Sequence, residues 1–143
     1  MKKALILCLF LAASAVSKAQ HTDESRVKAM LKTFYTAYMT SFSKDTGDEL
    51  LELRKKYCTS KCERLYKKLV EETDGDPFIK GQDSDASYAK TLTIKRDSKT
   101  PNSYTVSYYY EEYNEKGKLQ KETVTINLII IKIKGKLKID AVS

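Results

Sequence analysis

The sequence predicts an α+β fold in which three N-terminal helices pack on a curved antiparallel sheet of about four strands. Three observations carry this expectation. Apolar residues recur every three or four positions through the first half of the chain. They alternate at every second position from Tyr88 onward, and the join between the halves is rich in turn formers. At 143 residues, with 41% hydrophobic and 31% charged side chains, the chain has material for one modest core and one domain.

The first segment reads as an address rather than part of the fold. Met1-Lys2-Lys3 is a short basic start, residues 4–16 carry no charge, and Ser17-Lys18-Ala19 places small residues three and one before a cut. This is the layout of a secretory signal peptide at residues 1–19, leaving a single α+β domain at 20–143. The apolar run falls short of the roughly 20 residues that span a bilayer, so no membrane span is expected after cleavage. Ile6 and Leu7 precede Cys8 where a lipidated cysteine needs small residues. Removing residues 1–19 takes Lys2, Lys3 and Lys18 and no acid, which lowers the net charge from +7 to +4. A charge of that size aids solubility and makes no case for nucleic acid. The expected location is exported, either periplasmic or secreted.

The first helix of the domain is expected to start at a cap, Asp23 or Ser25. Val27, Met30, Leu31, Phe34, Tyr35, Tyr38, Met39 and Phe42 then form one broad apolar face, opposite Lys28, Lys32, Thr36 and Thr40. Asp45-Thr46-Gly47-Asp48 interrupts the pattern. A shorter helix over residues 49–57 carries Leu50, Leu53 and Tyr57, and a third carries Cys62, Leu65, Tyr66, Leu69 and Val70 to about Glu72. Ser60 and Glu63 have capping-box spacing, which predicts that the third helix begins at Ser60.

Cys58 and Cys62 flank that corner. In an oxidising compartment an isolated pair reads as a disulfide, here pinning two helices. The three-residue spacing is one longer than a redox pair normally uses. Two sulfurs without partner histidines fall short of a zinc site, because the only histidine is His21.

Asp74-Gly75-Asp76-Pro77 is turn chemistry, and the stretch to residue 87 is polar. Asp74, Asp76, Asp83 and Asp85 raise a calcium reading, but the order of an EF-hand loop is absent. Solvated turn residues are the expectation, with no metal and no cofactor. Residues 88–96 then read as a strand and 97–102 as a turn. Residues 103–113 follow as a second strand, with Tyr104, Val106, Tyr108 and Tyr110 on one face, and Asn114-Glu115-Lys116-Gly117 as a hairpin loop. Residues 118–134 form a long third strand, and Gly135 turns the chain into a fourth at 136–142.

The long strand contains a conflict. Val124, Ile126, Leu128 and Ile130 share a face that continues as Lys132 and Lys134. The other face begins with Thr123, Thr125 and Asn127 and continues as Ile129, Ile131 and Ile133. The buried side is expected to switch near residues 128–131, through a bulge or a bend. Ile129, Ile131 and Ile133 then become a surplus apolar face for a protein partner, a second copy of the chain or a covering helix.

Three helices followed by such a sheet resemble the cystatin-like, or nuclear-transport-factor-2-like, superfold. The segment Asp74-Gly75-Asp76-Pro77-Phe78-Ile79-Lys80-Gly81-Gln82-Asp83, after the corner at residues 57–59, is similar to the bacterial exported family called domain of unknown function 3828. The resemblance implies a fold and brings no activity with it, since the superfold hosts enzymes, carriers and scaffolds alike.

No Ser-His-Asp set, Cys-His pair or phosphate-cradling glycine loop is present, and Glu111, Glu112 and Asp83 read as solvated charges rather than acid–base catalysts. The expectation is a binding or interaction protein rather than an enzyme. Tyr35, Tyr38, Tyr104, Tyr108 and Tyr110 are the candidate lining for a small apolar ligand, and a filled tyrosine core is the competing reading of the same residues.

Overall fold

A computed structural model describes the backbone of residues 2–143 and the side chains of residues 23–143. The leader reading of residues 1–19 concerns side chains outside the described residues, and His21 also lies outside them. The element order is α1 (Lys2–Ser43), α2 (Gly47–Tyr57), α3 (Ser60–Thr73), a 3₁₀ turn (Ala86–Thr91), β1 (Thr93–Arg96), β2 (Ser103–Tyr113), β3 (Leu119–Ile133) and β4 (Lys136–Val142). The strands form one antiparallel meander, ordered β1-β2-β3-β4. This is the predicted α+β architecture, helices first and a four-stranded sheet after. Among the described residues no helix is long and apolar enough to cross a membrane.

The core forms where the apolar stripe of α1 meets one face of the sheet. Val27, Leu31, Phe34, Tyr35, Tyr38 and Met39 are buried against Tyr104, Val106 and Tyr108 of β2, Ile126, Leu128 and Ile130 of β3, and Ile139 and Val142 of β4. Alternation puts the β2 and β3 side chains on one face, and in β4 an extra residue between Ile139 and Val142 keeps both on it. No helix start occurs at Asp23 or Ser25, because helical backbone continues on their N-terminal side. Asp23 instead accepts a hydrogen bond from Lys132 Nζ at 3.0 Å, tying α1 to the end of β3.

Three further corrections have local causes. α3 begins at Ser60 as expected, but the side chain that caps it is that of Thr59 rather than Ser60. The Thr59 hydroxyl accepts from the Cys62 backbone N–H at 3.1 Å, while Glu63 turns away to pair with Arg54 at 3.2 Å. The first half of the expected strand at 88–96 is the 3₁₀ turn. Asp85 caps it at the Ser87 N–H, and Thr91 Oγ1 both accepts from the Tyr109 N–H and donates to the Tyr109 carbonyl, standing in for a ladder rung. The loop at 77–87 is also not all solvated turn: Phe78 and Ile79 are buried in the core.

The switch expected in the long strand resolves differently. Val124, Ile126, Leu128 and Ile130 keep one face toward the helices, and the extra residue lies in β4. Ile130 pairs with Ile139 while Ile129 pairs with Ala141, so Asp140 is left over as the bulge. The bulge turns Asp140 to the helix corner, where its carboxylate accepts from Thr59 Oγ1 at 2.9 Å and Lys61 Nζ at 2.6 Å. Ile129 and Ile131 are half-buried on the open face of the sheet, and Ile133 is 44% exposed. The β3–β4 turn has positive φ at both Lys134 and Gly135, the two-residue turn that matches strand twist.

Candidate functional site

The five predicted tyrosines do not gather around one cavity. Tyr35 and Tyr38 are fully buried on α1, inside the packed core, and border neither of the clefts that the other three tyrosines line. Tyr104 borders a cleft of about 360 Å³ at one end of the sheet, and Tyr108 and Tyr110 border another of about 350 Å³ under the β2–β3 hairpin. For Tyr35 and Tyr38 the filled core is the outcome. Strand alternation places Tyr104, Tyr108 and Tyr110 on one face, but the strand spaces Tyr104 too far from Tyr108 and Tyr110 for all three to share a cavity.

Tyr38 belongs to a buried polar network. Asp76 Oδ2 accepts from Tyr38 OH at 2.6 Å and from Tyr66 OH at 2.9 Å, and Asp76 Oδ1 accepts from the Phe78 N–H at 2.8 Å. Arg54 Nη1 donates to Tyr38 OH at 3.2 Å, and the guanidinium lies 4.0 Å over the Tyr66 ring. The loop closes on itself here: the Asp76 N–H donates to the Gly81 carbonyl at 2.8 Å and the Gly81 N–H returns to the Asp76 carbonyl at 3.4 Å. Burial pushes the Asp76 carboxyl above the usual carboxylate range, with the three donors pulling the other way. Burial and then the Asp76 charge push Tyr66 up to about 12 and Tyr38 further. Every oxygen of Asp76 is occupied by the protein, so this centre organises α1, α2, α3 and the loop rather than offering a free acid or base. Among the described residues no group of three or more His, Cys, Asp or Glu side chains could hold a metal ion.

Cys58 and Cys62 are both buried free thiols in the structure, in place of the expected bridge. The neighbouring Cys62 thiol and then burial push the Cys58 thiol up, away from ionisation. The corner they were expected to pin is fastened by other groups: the Thr59 cap, the Thr59 N–H to the Ile139 carbonyl at 2.9 Å, and Asp140.

The cleft beside Tyr104 is lined by Asp23, Glu24, Arg96 and Lys132, which pair with one another: Lys132 with Asp23 at 3.0 Å and Arg96 with Glu24 at 4.0 Å. The cavity under the hairpin differs. Tyr88, which the 3₁₀ turn delivers, stacks on Tyr108 with centroids 5.7 Å apart and on Tyr110 at 5.3 Å. Val124, opposite Tyr108 in the ladder, extends the apolar wall. Tyr108 OH is committed to the Ile79 carbonyl at 2.6 Å. The Tyr88 and Tyr110 rings are half-buried, and among the described residues neither hydroxyl has a hydrogen-bond partner. Tyr88 was missed as a cavity residue because its position reads as strand. The available signal was the Asp85-x-Ser87 cap, which starts a turn where the strand pattern suggests extension.

The class that the fold defines is an α+β protein, with helices leading into a four-stranded antiparallel meander. The chain is similar to a crystal structure of a protein of unknown function from Bacteroides thetaiotaomicron, with 28% sequence identity and a TM-score of 0.71, over 88% of this chain and 98% of that one. No protein-family model and no curated protein matches the sequence.

Proposed function

We propose that this chain is a non-enzymatic binding protein whose ligand site is the cavity under the β2–β3 hairpin. The observation that carries the reading is the stacked trio Tyr88, Tyr108 and Tyr110 bordering about 350 Å³, with two phenol groups left for a guest. An apolar wall with a few convergent polar groups is what small-ligand sites use. Two of the less exposed acids are held by the protein itself, Asp76 by three donors and Asp140 by Thr59 and Lys61. The reading includes export through residues 1–19. It also includes the resemblance to domain of unknown function 3828 and the cystatin-like superfold. Supporting the resemblance is the place of its segment in the fold: residues 76–79 are buried, and Asp76 joins Tyr38 and Tyr66.

Native mass spectrometry of protein taken from the cells that make it tests the binding reading. A retained small-molecule mass that Tyr110→Ala abolishes supports it, and bare protein that also ignores an extract of those cells counts against it.

A second reading is self-association through the open sheet face, favoured by the apolar strip Ile129, Ile131 and Ile133, the last 44% exposed. Light scattering decides it: a dimer that Ile133→Lys dissociates supports this reading, and a monomer at high concentration removes it.

A further inference from the structure

The cavity under the hairpin also has an electrical character, and this inference rests on the binding reading above. Among its lining residues Asp83, Glu111 and Glu112 face a single cation, Lys80. Glu112 shares the strand face of Tyr110, and Glu122 sits opposite Tyr110 across the ladder. Among the described residues none of these four carboxylates has an ion-pair partner, whereas the charges of the cleft beside Tyr104 pair off. The charges acting on the two unbonded phenols have one sign: after burial, Asp85, Asp83, Tyr110 and Glu112 raise Tyr88, and Glu112 and Glu122 raise Tyr110.

We propose that this cavity selects an organic cation, a small molecule bearing an ammonium group, by setting it against Tyr88 and Tyr110 within reach of Asp83, Glu112 and Glu122. Tyrosine rings attract a cation through the negative face of the π-system, and phenol oxygens accept from an ammonium N–H. The carboxylates fringe an aromatic wall rather than closing on a point. That arrangement suits a bulky, weakly hydrated ammonium better than a compact metal ion, which demands several oxygens at short range. Partial closure of the site preserves the attraction against salt more than an open surface would.

The test is a titration of protein carrying ring-¹³C tyrosine with choline, and in parallel with 3,3-dimethylbutan-1-ol, its neutral isostere. Single Tyr→Phe variants assign the signals. The expected result is movement of the Tyr88 and Tyr110 signals by choline, with affinity about tenfold or more above the alcohol, a difference of about 1.4 kcal/mol. Glu112→Gln weakens choline several-fold without affecting the alcohol, and Lys80→Gln tightens it. Both positions are exposed, so the variants fold. If the alcohol moves the same signals with equal affinity, the site binds ligands but the cationic class is wrong. If choline has no effect while a cell extract moves Tyr88 and Tyr110, the cationic class again falls and the binding reading stands. If no addition moves these tyrosines, both fall.

Discussion

Tyr38→Phe is the sharpest probe of the buried hub. The substitution keeps the ring, which packs against Phe34 and Phe78, and deletes only the hydroxyl. That hydroxyl makes a 2.6 Å bond to Asp76 and accepts from Arg54 at 3.2 Å. Its removal leaves the buried carboxylate with Tyr66 and Phe78 as donors, and Arg54 with Glu63. A hydrogen bond to a charged group is worth about 1.5–3 kcal/mol, and the Arg54 N–H loses its acceptor as well, so a loss of about 2–4 kcal/mol is expected at neutral pH.

The pH dependence has a definite sign. The folded-state pKa of Asp76 is raised, so the folded chain holds this proton more tightly than the unfolded one. The stability associated with the protonated acid is fully present below the unfolded pKa and is lost as pH rises through the folded pKa. Deleting a donor raises that folded pKa further. The deficit of Tyr38→Phe against the native protein is therefore larger at pH 7 than at about pH 4, where much of the carboxyl charge is gone. Urea unfolding followed by circular dichroism at both pH values measures it. A loss below about 1 kcal/mol at pH 7, or an equal loss at both, refutes the argument that Asp76 is a charged acceptor held by Tyr38.

Three other perturbations have defined outcomes. Thr59→Ala removes both the α3 cap and the tie to Asp140, and urea unfolding should register a loss of about 1–2 kcal/mol; an unchanged midpoint would remove Thr59 from the corner. Lys134→Asn places a residue tolerant of positive φ before Gly135, and thermal unfolding should show a gain of about 0.5–1 kcal/mol, a neutral or negative shift counting against the turn assignment. Reduced protein should label slowly at Cys58 and Cys62 with iodoacetamide until urea unfolds it, because both thiols are buried and Cys58 is held protonated. Rapid labelling of the native fold would contradict that burial.

Periodicity made most of the architecture legible. The apolar face of α1, the bounds of β2 at residues 103 and 113 and the hairpin after it follow from spacing and turn chemistry alone. What spacing could not supply was long-range pairing. Asp76 looks like one acid among several in a polar stretch, and its burial is decided by tyrosines 38 and 10 positions away in sequence. Phe78 and Ile79 were hidden by their polar surroundings, although two adjacent bulky side chains after a proline were a clue. The bulge was legible as a conflict in β3, yet the extra residue fell in β4, because a register shift belongs to a pair of strands and either one can carry it. That Tyr108 and Tyr110 share a strand face was legible from alternation, while the place of Tyr88 beside them required the 3₁₀ turn.

The central claim is that the space under the hairpin receives a guest while the tyrosines of α1 remain sealed. A crystal of the protein grown from, or soaked in, an extract of its own cells puts the matter most directly. The account predicts difference density in contact with Tyr88 and Tyr110, with the core around Tyr35 and Tyr38 unaltered. Density that instead pries α1 from the sheet, or a hairpin cavity closed by its own side chains, would contradict it.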